Sequence, residues 1–451
     1  MRLLRRPTRP RSLLGGLSPG SVRLPLWGFG GLLLLGAGLW VLIRDVSRWN
    51  AVWYVPAWYG YLLILDSILF LRRRRSFVSH ERGKLLSMLL WSVPFWIFFE
   101  ACNLVLRNWY YVFGLRNALA AAALTVTAFA TVLPACLFHA ELLEALGAWR
   151  QLSCRPRRIP AWMPPALASF GAFCLASALL FPRFAFPLIW FAPVGLEALN
   201  YRSGAPSLLR DFQEGNRRRL ARLLLGGLWA GGVWELFNSW ARCKWIYAVP
   251  GFGRFKIFEM PLAGFLGFPV LTIGAFCFFS SVSRIGHWPV WRRRVVLTAA
   301  VLFCVAIYPE LQRQTVRSLR PLLSELPSLD APARARLAAV GVETPERLAR
   351  AACREGIQSL SERTAISADR LRRVRDESVL ALHKGMGAPG ALLLEASGVG
   401  DIGRLAREDP DALWRRLVEL ASRLEQELPR LPEVRVWVSA AQRLPADLPR
   451  R

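Results

Sequence analysis

Two stretches of the sequence carry a carboxyl and an amide in the same order within otherwise apolar residues. Each reads E-x-x-N followed by W-x-Y, and the matching residues are Glu100, Asn103, Trp109 and Tyr111, then Glu235, Asn238, Trp245 and Tyr247. A spacing of three places the carboxyl and the amide on one helix face, about a turn apart. The repeat predicts one site built from both copies, with the carboxyls as catalytic groups and the other six residues as substrate-binding groups.

Two further features extend this predicted site. Glu197 and Asn200 form a third E-x-x-N, and Glu197 precedes the second copy as Asp66 precedes the first. Glu259 follows the second copy in a loop broken by proline and glycine. A carboxyl in apolar surroundings is favoured in its neutral form and can donate a proton, while aromatic faces stabilise a developing cation. Glu197 therefore joins the predicted catalytic set, and Asn200 and Glu259 join the substrate-binding set.

Apolar runs of membrane-spanning length indicate the class of the protein. The chain has 451 residues and 54% hydrophobic side chains, and a run of about 20 apolar residues is long enough to cross a bilayer. The candidate spans are residues 26–43, 52–71, 85–106, 118–138, 164–181, 184–201, 220–240, 262–282 and 295–311. The sequence predicts an all-α polytopic membrane bundle of eight or nine spans, the last being the shortest.

The distribution of positive charge indicates how the bundle is oriented. The net charge is +28, and the chain has 59 Lys and Arg residues. Of these, 26 lie in the loops on the same side as the N-terminus, 9 lie in the loops on the opposite side, and 24 follow residue 308. Short cytoplasmic loops carry such an excess. We predict a multi-pass protein of the cytoplasmic (inner) membrane, with a cytoplasmic N-terminus and membrane lipid as a partner. Because the orientation in the membrane explains most of the positive charge, that charge is weak evidence for nucleic-acid binding.

The repeat and a change of composition divide the chain. We predict a basic N-terminal segment (1–24), a transmembrane domain (25–311) with tandem four-helix repeats at about 52–181 and 184–311, and a small soluble helical domain (320–445). Helix-start patterns such as Thr344-Pro345-Glu346 and Asp409-Pro410-Asp411 support the last domain. Nine spans would place it outside the cytoplasm, and eight would place it inside.

Cofactor signatures are missing from the sequence. The four histidines form no paired boxes, no H-E-x-x-H, G-x-S-x-G or Walker loop is present, and no cysteine pair has C-x-x-C spacing. We therefore predict no cofactor and no metal site.

The C-terminal region resembles tandem helix-hairpin-helix modules. The resemblance rests on Gly385-Met386-Gly387 as the hairpin, on Ala396-Ser397-Gly398-Val399 as the following turn, and on Pro432-Glu433-Val434 with Trp437 and Val438 as the closing helix. It covers about 120 residues and is similar to a bacterial domain family of unknown function related to recombinase and DNA-repair hairpins. The resemblance implies a phosphate- or partner-binding role for Gly385 and Gly387.

The first copy of this module departs from the pattern. There Ser328-Leu329-Asp330 replaces the glycines and adds a carboxylate, and residues from 309 onward hold 20 acidic side chains against 24 basic ones. We therefore expect a protein partner or self-association for this domain rather than nucleic acid.

The membrane part resembles uncharacterised bacterial polytopic membrane proteins through the stretch that begins at Trp234, and that resemblance implies no activity. Glu259-Met260-Pro261 within the repeated plan is similar to membrane carotenoid cyclases, which implies acid-initiated chemistry on an isoprenoid. The sequence thus leaves four functions open: a site handling an apolar or lipid-like molecule, a proton- or ion-coupled transporter, an isoprenoid-modifying enzyme, and a structural scaffold whose tail binds protein or nucleic acid.

Overall fold

The computed structural model describes residues 24–44, 50–249 and 256–444, and the fold is mostly helical with two short β-ribbons. The helical class agrees with the prediction, whereas the sequence predicts no strands. The predicted basic segment lies, apart from Leu24, outside the described residues.

The part of the chain before residue 316 forms a helical bundle. Its elements are α1 (Leu26–Arg44), α2 (Tyr54–Arg73), α3 (Arg82–Leu106), β1 (Trp109–Val112), α4 (Ala118–Phe129), α5 (Val132–Ala145), α6 (Met163–Leu180), α7 (Pro182–Ala185), α8 (Leu196–Ser203), α9 (Leu208–Gln213), α10 (Arg218–Trp240), β2 (Lys244–Tyr247), β3 (Lys256–Ile257), β4 (Met260–Pro261), α11 (Gly267–Ser283) and α12 (Val290–Thr315).

Eight helical segments of the described chain are long and apolar enough to cross a membrane. Eight of the nine predicted spans overlap these helices, extending beyond them by two residues at most, and the exception is residues 184–201. There the chain forms α7, two 3₁₀ turns (Phe186–Trp190 and Ala192–Gly195) and α8. Pro187 and Pro193 lie in these turns, and proline lacks the N–H that a continuous α-helix needs.

The broken segment still runs the length of the bundle. Gly195 packs against Gly171 in the middle of α6, and a Cβ added to Gly171 would lie 2.7 Å from the Gly195 Cα. Both 3₁₀ turns and α8 contact α6, with Ala192 near Gly171 and Gly195 also near Ala168, so the segment runs antiparallel to α6 here. The segment therefore returns the chain to the end of the bundle where α6 begins.

The bundle has two distinct ends. At one, which we call the arginine end, Arg73 pairs with Glu141 at 2.9 Å, Ser153 pairs with Asn216 through the backbone, and Gly204 lies beside Arg284. These contacts join the four loops at residues 72–84, 139–163, 202–222 and 283–294. The opposite end, the ribbon end, carries β1 and β2.

The ribbon joins the two copies of the repeat. β1 follows α3 and β2 follows α10, and the strands pair antiparallel with Trp109 opposite Tyr247 and Tyr111 opposite Trp245. This register is symmetric about the facing residues Tyr110 and Ile246. Equivalent residues of the two copies are therefore related by a local twofold.

The C-terminal domain has a hydrophobic core of its own and packs on the ribbon end. Its helices are α13 (Ala331–Ala339), α14 (Pro345–Arg354), α15 (Ile357–Thr364), α16 (Ala368–Leu382), α17 (Gly387–Ala396), α18 (Ile402–Leu405), α19 (Pro410–Arg423) and α20 (Leu431–Ala441). The predicted starts at Thr344 and Asp409 are confirmed, because each side chain accepts a hydrogen bond from the first turn of its helix.

Candidate functional site

Glu100 lies near the end of α3 and is fully buried. Its Oε1 atom accepts hydrogen bonds from the Trp96 indole at 3.0 Å, the Trp109 indole at 3.1 Å and the Tyr111 hydroxyl. Trp96 precedes Glu100 by four residues on the same helix face, and Trp109 and Tyr111 share one face of β1. One carboxyl oxygen thus fixes three aromatic side chains from two elements.

Glu235 repeats this arrangement on α10. Its Oε1 atom accepts hydrogen bonds from the Tyr247 hydroxyl at 2.9 Å and from the Trp245 indole at 3.2 Å. Gly231 occupies the position that corresponds to Trp96, and a Cβ there would lie 2.1 Å from the Phe268 ring. The two copies differ at this position because a phenylalanine from α11 fills the space of the missing indole.

The two asparagines hold the strands in place. Asn103 Nδ2 donates to the Trp109 carbonyl at 2.9 Å, while its Oδ1 accepts from the Trp109 N–H at 3.3 Å. Asn238 makes the same pair of bonds with the backbone of Trp245, at 2.9 and 3.1 Å. Both amides are thus bonded to the protein's own backbone, which positions the strands, and substrate binding by Asn103 and Asn238 stays a prediction.

The register of the ribbon brings both copies to one cavity, which we call the aromatic chamber. Its volume is about 200 Å³, and its walls are almost entirely apolar. All four predicted ribbon aromatics line it, together with four indoles that the repeated pattern does not include. The ribbon aromatics are Trp109, Tyr111, Trp245 and Tyr247, and the additional indoles are Trp53, Trp96, Trp190 and Trp234.

The two carboxyls stand behind the chamber wall. Neither Glu100 nor Glu235 lines the cavity, because the aromatic rings that they bind lie between them and the space. The second oxygen of each carboxyl, Oε2, is buried and has no hydrogen-bond partner among the described residues. In this arrangement the carboxyls position the aromatics.

Glu197 and Asn200 lie elsewhere. Glu197 accepts hydrogen bonds from the Ser207 hydroxyl and from the Leu209 N–H at 2.9 Å, and Asn200 donates to the Cys277 carbonyl at 2.8 Å. Neither residue lines the chamber. The structure therefore does not bring this third E-x-x-N to the predicted shared site.

The comparison with Asp66 explains the position of Glu197. Asp66 accepts hydrogen bonds from the backbone N–H groups of Phe77 and Val78 after α2, as Glu197 does from Leu209 after α8. Both turns belong to loops of the arginine end. The acid that precedes each copy fixes the turn that follows its own helix.

Glu259 is held by lysines from two parts of the chain. Its carboxylate pairs with Lys244 of β2 at 2.6 Å and with Lys384 of the C-terminal domain at 2.9 Å. Burial raises the pKa of this carboxyl, but the two ammonium groups outweigh burial and lower the pKa to about 2. Glu259 is thus an ionised link between the ribbon and the C-terminal domain, and it does not line the chamber.

The glycine hairpin contacts the ribbon of the same chain. Gly385 and Gly387 have φ angles of 72° and 74°, which glycine adopts without strain. A Cβ added to Gly385 would lie 2.1 Å from the Val112 side chain of β1, and one added to Gly387 would lie 3.1 Å from Ser318. The partner of this hairpin in the structure is therefore the chain's own bundle.

The described residues contain no candidate metal site. No group of three His, Cys, Asp or Glu side chains there lies close enough together to hold an ion.

Some chamber residues could have been found in the sequence and others could not. Trp96 stands four residues before Glu100, which is a helical spacing that predicts a contact. Trp190 lies in the broken segment and reaches the chamber through stacking on Phe99, with ring centroids 5.1 Å apart. No local pattern predicts that contact.

Comparison with known proteins identifies only the C-terminal region. A family model described as a domain of unknown function (DUF4332) matches residues 327–444. This match agrees with the predicted C-terminal domain of unknown function. No curated protein and no solved structure matches the chain.

Replacing Asn238 by alanine tests the positioning role of the amide. We expect Asn238→Ala to lower the free energy of unfolding by about 1–3 kcal/mol, because a buried backbone N–H and carbonyl lose partners. Ser239→Ala is the matched control, since that hydroxyl donates only to the Leu236 carbonyl within α10. Thermal unfolding of the purified protein, followed by tryptophan fluorescence, measures both variants. Equal stability of the two would contradict the role assigned to Asn238.

Proposed function

We propose that this chain is a multi-pass protein of the cytoplasmic membrane that holds an apolar, lipid-like molecule in the aromatic chamber. The observation that carries the proposal is the convergence of two carboxyl-anchored aromatic sets on one apolar cavity. Binding sites for small apolar molecules are concave and lined mainly by apolar and aromatic side chains.

The outer surface of the bundle supports a membrane environment. Val301, Leu302 and Val305 on α12 are each more than 60% exposed, as are Leu33 and Ile43 on α1. A protein in water rarely exposes contiguous apolar surface of this kind, whereas lipid solvates it without cost.

The position of the arginine-rich loops supports an orientation. These loops meet at the arginine end, and short positively charged loops favour the cytoplasm. The broken segment makes a ninth passage along the bundle, so α12 leads away from the arginine end and the C-terminal domain packs on the ribbon end. We infer that the C-terminal domain lies on the non-cytoplasmic side of the membrane.

The chemistry of the chamber favours an apolar ligand. The indole N–H groups of Trp96, Trp109 and Trp245 already donate to carboxyls. The faces of these rings remain available for packing, and such faces bind hydrocarbon or a delocalised cation well. The ligand, or the part of it within the chamber, is therefore expected to be largely hydrocarbon.

A transporter is the second candidate, and the broken helices favour it. α4 ends at Phe129 and α5 begins at Val132, and both residues line the chamber. The Ser92 hydroxyl bridges the break, because it donates to the Phe129 carbonyl and accepts from the Leu133 N–H. Interrupted helices beside a central site are typical of secondary transporters.

The enzyme and nucleic-acid functions receive less support from the contacts. Acid-initiated chemistry on an isoprenoid needs a carboxyl in the chamber, and Glu100, Glu235 and Glu259 all lie outside its lining. Phosphate binding by the hairpin needs its backbone to be accessible, and Gly385 packs on Val112 instead.

Filling the chamber tests the binding proposal. Gly267 lines the chamber, and a Cβ there would lie 3.8 Å from the Trp190 indole, so Gly267→Leu should extend into the space. The probe is a long-chain alcohol with a diazirine on its chain, photolysed with the protein in lipid nanodiscs and mapped by mass spectrometry. We expect at least fivefold less labelling of chamber residues in this variant than in the wild type.

Gly36→Leu is the control for this experiment, because a Cβ at Gly36 meets no atom within 4 Å on the surface of α1. Its labelling should equal that of the wild type. Equal chamber labelling in all three proteins, or none in the wild type, would contradict binding in the chamber.

Cysteine accessibility tests the proposed orientation. Cys353 is exposed on the C-terminal domain, whereas Cys154 lies in a loop of the arginine end. A membrane-impermeant maleimide added to intact spheroplasts should label Cys353 and leave Cys154 unlabelled until lysis. Labelling of Cys353 only after lysis would place the domain in the cytoplasm and overturn the orientation.

A further inference from the structure

Three lysines lie near one carboxylate where the ribbon meets the C-terminal domain, and two of them contact it. Lys244 and Lys384 pair with Glu259, and Lys256 of β3 donates to the Tyr247 carbonyl at 3.1 Å. We call Lys244, Lys256 and Lys384 the lysine cluster. Its members come from two strands of the ribbon end and from the hairpin of the C-terminal domain.

Among the described residues, positive charge exceeds negative charge at this cluster. The described charged groups that interact with it are the carboxyls of Glu259 and Glu235 and the guanidinium of Arg443, which has an interaction of its own. Even with both carboxyls ionised, the three ammonium groups outnumber them.

The cluster is also withdrawn from water. Only 16% of the Lys244 side chain and 27% of the Lys384 side chain are exposed. The pKa of Lys256 is lowered to about 8, mainly by burial and also by the positive charges of Lys384 and Arg443, against the opposing effect of Glu259. Buried positive charge without a matching anion is costly, and a bound anion would relieve that cost.

The cluster is continuous with the aromatic chamber. Lys244 itself lines the chamber, as does Tyr247, whose carbonyl accepts the Lys256 hydrogen bond. Lys256 and Lys384 do not line the chamber, so the cluster adjoins the chamber through Lys244. A molecule whose chain packs among the indoles and whose end lies at Lys244 would therefore have that end beside the cluster. The same space provides an apolar wall and a cationic end.

We propose that the ligand of the chamber is an anionic amphiphile, with its hydrocarbon chain among the indoles and an oxyanion head bound by the lysine cluster. This inference rests on the proposed function and adds the class of ligand. A carboxylate or a phosphate head satisfies the same contacts, since lysine binds either as a compact charge with three donors.

The test compares photoreactive probes that share one chain and differ only in the head. A diazirine-bearing fatty acid, the matching alcohol and the matching lysophosphatidic acid are each photolysed with the full-length protein in nanodiscs of zwitterionic lipid. Labelling of chamber residues is quantified for the wild type, Lys244→Gln and Lys256→Gln. Lys84→Gln is the control, because Lys84 lies at the arginine end and pairs with Glu81 on the surface.

We expect each cluster variant to reduce chamber labelling by the acid at least fivefold and to leave labelling by the alcohol unchanged, while Lys84→Gln changes neither. Stronger labelling by the lysophosphatidic acid than by the fatty acid would identify a phosphate head, and the reverse a carboxylate. Inorganic phosphate at millimolar concentration should not displace either probe, because it lacks the chain. Displacement by it would indicate a site for free phosphate and overturn the amphiphile.

The failures of the two proposals are distinguishable. If acid and alcohol both label the chamber and the cluster variants affect them equally, the inference about the head is overturned while binding in the chamber stands. If neither probe labels the chamber of the wild type, the proposed function fails as well.

Discussion

The structure depends on a buried carboxyl oxygen that accepts hydrogen bonds from the aromatic side chains of a neighbouring strand. A carboxyl in apolar surroundings is costly unless donors satisfy it, and indole N–H and phenol O–H groups supply those donors without adding charge. Glu100 and Glu235 each bind the Trp and the Tyr of a W-x-Y strand in this way. These hydrogen bonds satisfy the Oε1 atom of each carboxyl and orient the Trp and Tyr rings of its strand.

Pairing of the two strands turns these local contacts into a shared chamber. Because the register is symmetric about Tyr110 and Ile246, the anchored rings of both copies lie on the same face of the ribbon. The opposite face receives the C-terminal domain, whose residue Leu382 packs with Tyr110 and Ile246. The ribbon is therefore a partition between the chamber and the C-terminal domain.

Glu259 links the two sides of this partition. It pairs with Lys244, which lines the chamber, and with Lys384, which belongs to the C-terminal domain. The hairpin that resembles a phosphate-binding motif therefore takes part in a contact between the C-terminal domain and the ribbon of the same chain.

The sequence predicted the helical class, the C-terminal domain and the four ribbon aromatics of the chamber, since each leaves a local pattern. It did not predict the ribbon, because a four-residue strand such as Trp109–Val112 gains its stability from a partner more than 130 residues away. The hydrogen bonds of Asn103 to the backbone could not be predicted either. The spacing from Glu100 is the same whether the amide binds substrate or backbone. The prediction that Glu197 lies at the shared site did not account for its position along the bundle. The E-x-x-N spacing shows that two side chains share a helix face, but it does not show at which end of the bundle they lie.

The pairing of β1 with β2 is the central claim, and a disulfide across the facing pair tests it most directly. Paired residues of antiparallel strands have Cα atoms about 4.5–5.5 Å apart, within reach of a disulfide. In a Cys243→Ser background, Tyr110→Cys with Ile246→Cys should form a disulfide on mild oxidation in the membrane, whereas Tyr110→Cys with Ala248→Cys should form little. Failure of the facing pair to cross-link, or equal cross-linking of both pairs, would contradict the shared ribbon and the chamber it closes.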